Sequence, residues 1–250
     1  MYELFEGTCF HGAVRRVITA QRAQGRAMLV VAFLGGFAVQ AQDVVKIAPA
    51  GIVKVEYDNA QVRVLRFTEP PGSKLAMHSH PAYVTVALTS DVSRYTFPGG
   101  KSSEEKTTAG QAGFSEPVTH ASVNIGDTPS DAFMVELKTK PAGTVLTGAG
   151  DMVKLNPDAC KVEVDNEYVR VTRVNLPPHG KLAMHSHVSP NVVIYLTGGP
   201  GRTTTADGKS EEATIPPGTV RFNQPTEHSN ENFGNKPIEA VVIELKTAAQ

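Results

Sequence analysis

The chain of 250 residues has no tryptophan, and aromatic residues make up only 6% of it. Its cores must therefore be filled by aliphatic side chains. Cysteine is nearly absent as well. Cys9 and Cys160 are the only two, and Cys9 falls in the leader described below. One thiol in the body excludes a disulfide framework, so the fold must hold by apolar burial. Cys160 stands where the first half of the chain has Val53, and it reads as a small buried hydrophobe. No charge of one sign dominates, since the formal net charge is −1. No basic patch stands out, so a nucleic-acid partner has no electrostatic support. After residue 44 no amphipathic helical pattern runs longer than about ten residues.

What is present begins with a leader. Arg15, Arg16, Arg22 and Arg26 precede the apolar run Ala27–Val39, and Val39-Gln40-Ala41 puts small residues at −3 and −1 of a cleavage point. That is the build of a secretory signal peptide over residues 1–41, with an apolar run too short to span a bilayer comfortably. The expectation is a periplasmic or secreted protein, cleaved after Ala41, with no membrane association once cleaved. A retained N-terminal anchor is the alternative.

From Val44 onward the chain repeats itself. Lys54-Val-Glu-Tyr-Asp-Asn59 matches Lys161-Val-Glu-Val-Asp-Asn166, and Val62-Arg-Val64 matches Val169-Arg-Val171, at an offset of 107 residues. One residue is inserted in the second copy after His187. The offset is then 108, pairing Gly110 with Gly218, His120 with His228, Asn124 with Asn232 and Glu136 with Glu244. A unit of that length is a duplicated domain rather than a solenoid repeat. The repeat predicts domains at residues 44–140 and 157–247, joined by a linker at residues 141–156. Within each half, short β-rich runs such as residues 62–67, 83–88 and 132–137 alternate with turns rich in the chain's 22 Gly and 17 Pro. The pattern is all-β, with eight to nine strands per half, as in a jelly roll or small barrel.

The most informative stretch occurs twice. Lys74–His80 and Lys181–His187 are the same seven residues, Lys-Leu-Ala-Met-His-Ser-His. Histidines at i and i+2 share one face of a strand, roughly 6–7 Å apart. Two imidazoles so placed can converge on one metal ion if a third ligand joins them. His120 and His228 are the matched candidates.

These residues carry a family resemblance. Gly72-x5-His78-x-His80 resembles the first half of the first cupin motif. Gly110 with His120-x3-Asn124, and Pro217-Gly218 with His228-x3-Asn232, resemble the second. The resemblance covers about Lys54–Lys138 and Lys161–Lys246. It implies two tandem cupin-type jelly-roll β-barrels, a bicupin, each barrel enclosing one site. The opening Asp-Asn-x-x-Val-Arg-Val is similar to that of small single-domain cupins of bacteria. The family's first motif usually continues with a glutamate as fourth ligand. Here those positions hold Val84 and Thr85 in the first half, Asn191 and Val192 in the second. The second half also has only four residues between Gly180 and His185, where the motif has five.

The candidate metal ligands are therefore His78, His80 and His120 in one site, and His185, His187, His228 and Asn191 in the other. Three imidazoles accept a divalent Fe, Mn, Zn, Ni or Cu ion, so ligand type does not choose among them. Val84, counted along one strand from His80, is expected to wall the first site with methyl groups. Asn191 offers a carbonyl oxygen, so the second site is expected to hold metal more tightly. Open coordination positions point to a metal-binding bicupin acting on a small-molecule substrate, by a dioxygenase-type or other metal-dependent reaction. The alternative is a non-catalytic periplasmic module that binds metal or a small molecule. No catalytic residue is assigned, and association into a homo-oligomer is left open.

Other matched residues carry weaker expectations. Glu136 and Glu244 read as salt-bridge partners of Arg63 and Arg170, or as general bases. Asn124 and Asn232 either orient a ligand or satisfy a turn. Phe114 and Phe222 are expected to wall the barrels, and His179, in a Pro-Pro-His-Gly turn, to lie at the surface.

Overall fold

The computed structural model describes residues 42–144 and 146–246. The leader and its cleavage point lie outside the described residues. No described helix is long and apolar enough to cross a membrane.

The first repeat folds as β1 (Gln42–Asp43), α1 (Val44–Ile47), β2 (Val53–Asp58), β3 (Val62–Glu69), β4 (Lys74–His80) and β5 (Tyr83–Ala87). It continues with β6 (Asp91–Thr96), β7 (Ser102–Thr107), β8 (Ala112–Ser115), β9 (Val118–Asn124) and β10 (Ser130–Leu137). These strands form two sheets, in the orders β1-β4-β9-β6-β7 and β2-β3-β10-β5-β8. The second repeat has α2 (Met152–Leu155), β11 (Cys160–Asp165), β12 (Val169–Leu176), β13 (Lys181–His187), β14 (Asn191–Tyr195) and β15 (Gly199–Thr205). After these come β16 (Ser210–Ile215), β17 (Val220–Asn223), β18 (Thr226–Asn232) and β19 (Ile238–Leu245). Its sheets run β11-β12-β19-β14-β17 and β13-β18-β15-β16. Each repeat is a jelly roll of two facing sheets.

The turn before β4 needs a left-handed residue, and Gly72 supplies it at φ 79°. At the matched turn His179 takes that conformation, at φ 56°. The irregular spacing before His185 follows from this: His179 holds the motif's glycine position, and Gly180 follows it. His179 is exposed, and its Nε2 lies 3.1 Å from Asn235 Oδ1.

Three apolar clusters hold the structure. One fills the first barrel with Val44, Leu65, Phe67, Leu75, Tyr83 and Met134. A second fills the other barrel around Met152, Cys160, Leu176, Leu182 and Val242. Cys160 is buried, and burial pushes its thiol up to about 12. The third cluster lies between the barrels. It joins Val62, Val64, Val84, Val86 and Val135 to Val169, Val171, Val192, Ile243 and Leu245. The sheets carrying β3-β10-β5 and β12-β19-β14 thus bury both faces, one inside their own barrel and one against the other. Val84 belongs to this shared core and is fully buried there.

Of the two phenylalanines expected to wall the barrels, Phe114 lines the first cavity, whereas Phe222 turns to the junction. Phe222 stacks on Tyr57 of the other repeat at 5.2 Å between ring centroids, and Phe114 lies 5.5 Å from Tyr168. Part of the stretch read as a linker is built into the second barrel. Asp151 caps α2 by accepting from Val153 and Lys154 N–H groups, and Met152 packs into the barrel core.

Candidate metal centres

In each repeat a β-bulge aims the histidines. β4 pairs with β9 as Leu75 opposite Ser122, then slips so that His78 lies opposite His120. β13 and β18 repeat this, with Leu182 opposite Asn230 and His185 opposite His228. The extra residue lets Leu75 and His78, three apart, both point inward. It also frees the Ala76 carbonyl from the ladder. His78 Nδ1 donates to that oxygen at 2.7 Å, and His185 Nδ1 donates to Ala183 at 2.8 Å. With Nδ1 carrying the proton, Nε2 keeps its lone pair for a metal.

The second histidine of each pair is fixed from the opposite sheet. Glu136 on β10 accepts from His80 Nδ1 at 2.7 Å through Oε1, and from Arg63 Nε at 2.6 Å through Oε2. Glu244 on β19 holds His187 Nδ1 at 3.0 Å and Arg170 Nε at 2.8 Å in the same way. The expected ion pairs with Arg63 and Arg170 are present, and each glutamate's other oxygen sets a histidine's tautomer. The arginines are braced in turn: Arg63 by Asp43 at 2.7 Å, Arg170 by the buried Asp151. Burial pushes the Glu136 carboxyl up, but hydrogen bonds from His80 and Arg63 outweigh it and hold the group below its ordinary range.

The three imidazoles of each repeat converge. Ligand atoms of His78, His80 and His120 lie within 4.8 Å of one another, and so do those of His185, His187 and His228. Burial lowers the pKa of His78 and His185, and takes His120 and His228 down to about 3. These rings are neutral near pH 7, which is the form that binds a metal. His80 Nε2 and His185 Nε2 are buried and have no hydrogen-bond partner. Orphaned ring nitrogens aimed at a common point fit a divalent ion in both barrels.

The fourth position differs from expectation. Pro81 and Ala82 break the strand after His80, so counting by twos from His80 does not carry into β5. Tyr83, Thr85 and Ala87 face the cavity, while Val84 faces the other barrel. Tyr83 lies opposite Glu136 in the sheet, as Asn191 lies opposite Glu244. Tyr83, not Val84, is therefore the counterpart of Asn191. Asn191 is buried and lines the second cavity. Its Oδ1 accepts from Asn223 Nδ2 at 2.9 Å, and its own Nδ2 has no partner. Asn124 and Asn232 satisfy turns. Asn124 Nδ2 donates to Glu69 and Thr128 carbonyls at 2.9 and 3.0 Å, and Asn232 bridges Leu176, Pro177 and Lys236 carbonyls.

Each centre opens into a cavity, of about 510 Å³ in the first barrel and about 230 Å³ in the second. At the position of Gly113 in the first, the second has Arg221.

No protein-family model and no curated protein matches the chain. Solved structures do resemble it. AerE from Microcystis aeruginosa is 17% identical at a TM-score of 0.55, over 78% of this chain and 97% of that one. Bacillus subtilis oxalate decarboxylase, with Mn(II) centres, is 12% identical at 0.55, over 77% of this chain and 71% of that one. A serine-to-alanine variant of the same decarboxylase is 13% identical at 0.56, over 77% and 71%.

Proposed function

We propose that this bicupin, a chain that carries the cupin jelly roll twice, is an exported enzyme that uses a divalent metal in each barrel to act on a small molecule. The two three-histidine clusters support metal binding. The observation that carries the enzymatic reading is that each cluster faces a cavity of substrate size. A bound divalent ion would supply Lewis-acid or, if redox-active, O₂ chemistry at its open positions. The protein's part is to hold the imidazoles by Nδ1, through Ala76, Ala183, Glu136 and Glu244, and to present the substrate from the cavity wall. No described aspartate or glutamate joins the three-histidine groups as a ligand, which leaves positions for a chelating substrate.

The test is elemental analysis of protein from the native host, beside a His78→Ala/His185→Ala double variant. Two divalent ions per chain, lost in the variant, would support the centres. Turnover of a panel of small carboxylates and amines, oxalate among them, with O₂ uptake recorded, would then support an enzyme. Bound metal without turnover of any small molecule would favour a binding module. N-terminal sequencing of the same material tests export: a chain that begins at Gln42 supports it, and one that keeps residues 1–41 opposes it.

A further inference from the structure

The two cavities have diverged at their walls far more than at their histidines. In the first, Phe67, Tyr83, Tyr95 and Phe97 present aromatic rings. The matched positions in the second barrel hold Val174, Asn191, Thr203 and Thr205. Charge has diverged in the same direction. Acidic groups line the first cavity, Asp91 and Glu105 among them, and no Lys or Arg does among the described residues. The second cavity has Arg202 and Arg221 in its wall together with Glu211 and Glu231, so its charges balance, and Arg202 is paired with Glu212 and Glu231.

Glu69 marks the difference most sharply. It is 9% exposed, on the inward face of β3 with Leu65 and Phe67, and it lines the first cavity. Its Oε1 is buried with no hydrogen-bond partner. A buried carboxylate oxygen left unsatisfied carries its full desolvation penalty. The second barrel avoids that cost by placing Leu176 at the matched position, buried in its core. The first barrel keeps the acid, beside a wall of aromatic faces. A carboxylate in a cavity that aromatic side chains also line suits an organic cation, which pairs with the charge and can rest against the negative face of a ring.

We infer that the first cavity binds a small organic cation, an amine or quaternary ammonium compound, whose positive group meets Glu69 and the aromatic wall. The second cavity does not share this specificity. The inference deepens the proposal above and rests on it, because the cation lies in the cavity that faces His78, His80 and His120. Tyr95, whose ring is 5.0 Å from that of His120, links the aromatic wall to the metal centre.

Calorimetric titration of metal-loaded protein tests it, with choline and 1,4-diaminobutane as the two cationic probes. The neutral isostere 3,3-dimethylbutan-1-ol and succinate are the controls. At least one cation should bind at least tenfold more tightly than both controls, and which one identifies the head group. Glu69→Gln should weaken that binding tenfold or more, and Tyr95→Leu should weaken it by a smaller factor. Circular dichroism and metal content are checked on each sample. Equal binding of cation and neutral isostere, or full binding by folded Glu69→Gln, would overturn the inference. Protein that carries both metals but holds neither cation overturns the inference and leaves the metal reading intact. Protein that holds a cation but no metal does the reverse.

Discussion

Tyr83 in the first barrel and Asn191 in the second occupy the same place, each opposite the glutamate that grips a metal-site histidine. Burial raises the Tyr83 phenol above its ordinary pKa, so it stays protonated and is a poor metal ligand. Asn191 brings a carbonyl oxygen, steadied by Asn223. In a chelator titration, metal should leave the His78/His80/His120 centre first. Asn191→Val should bring the two centres together, by about tenfold. If the first centre outlasts the second, Asn191 contributes nothing to the affinity.

The glutamates behind the histidines should matter without touching metal. Glu136→Gln and Glu244→Gln keep the shape but lose the charge that polarises His80 and His187. Each should weaken metal binding in its own barrel by about 10–100-fold, with the other barrel unaffected. Competition with a metallochromic chelator reads this directly.

The ion triads differ in burial, and so should their sensitivity. Arg170, Asp151 and Glu244 have side chains only 1–3% exposed, whereas Arg63 is 18% and Asp43 33% exposed. Arg170→Met strands two buried carboxylates and should cost about 3–5 kcal/mol. Arg63→Met should cost less, because water reaches Asp43. Urea unfolding of both variants decides the order.

Burial and the nearby Asp91 push the Glu69 carboxyl up to about 7. Asp91 and Tyr95 on β6 are its titratable neighbours in the cavity, while Asp131 on β10 is turned onto Arg66. Below the ordinary glutamate pKa both folded and unfolded chains carry this proton, and stability is at its fullest. As pH rises towards 7 the unfolded chain releases the proton first, so stability falls by up to about 3 kcal/mol. Glu69→Gln should remove that decline. Urea midpoints at pH 5 and pH 8.5, compared between wild type and variant, measure it.

His179 holds a left-handed conformation that its matched Gly72 adopts freely. His179→Gly should raise stability by about 0.5–1 kcal/mol despite the greater freedom of glycine when unfolded. A Tm that falls instead would show that the contact with Asn235 outweighs the backbone strain.

The six histidines and the doubled jelly roll were legible because both follow from local pattern and from the repeat. What escaped depended on where strands are interrupted. The break at Pro81 resets which residues face the cavity, so counting by twos from His80 picked Val84 instead of Tyr83. The bulge after Leu75 is invisible in sequence, although the carbonyl it releases fixes His78. Glu136 and Glu244 were legible as partners of Arg63 and Arg170. Their grip on the histidines needed the facing sheet. The core between the barrels left a trace in runs such as Ala240–Ile243, apolar at every position rather than at alternate ones. Such a run marks a strand with no wet face.

That shared core also bears on the ancestry of the chain. Val84, Val135, Val192 and Ile243 are buried in a core that both repeats build, so either half alone would expose an apolar face. The same face on an ancestral single-repeat protein would have needed a twin, and a twofold dimer is the simplest way to provide one. Fusing the twins freed them from identity. One copy can then carry an acid and aromatic rings at its cavity wall where the other carries aliphatic and small polar residues, a difference closed to a dimer of identical subunits.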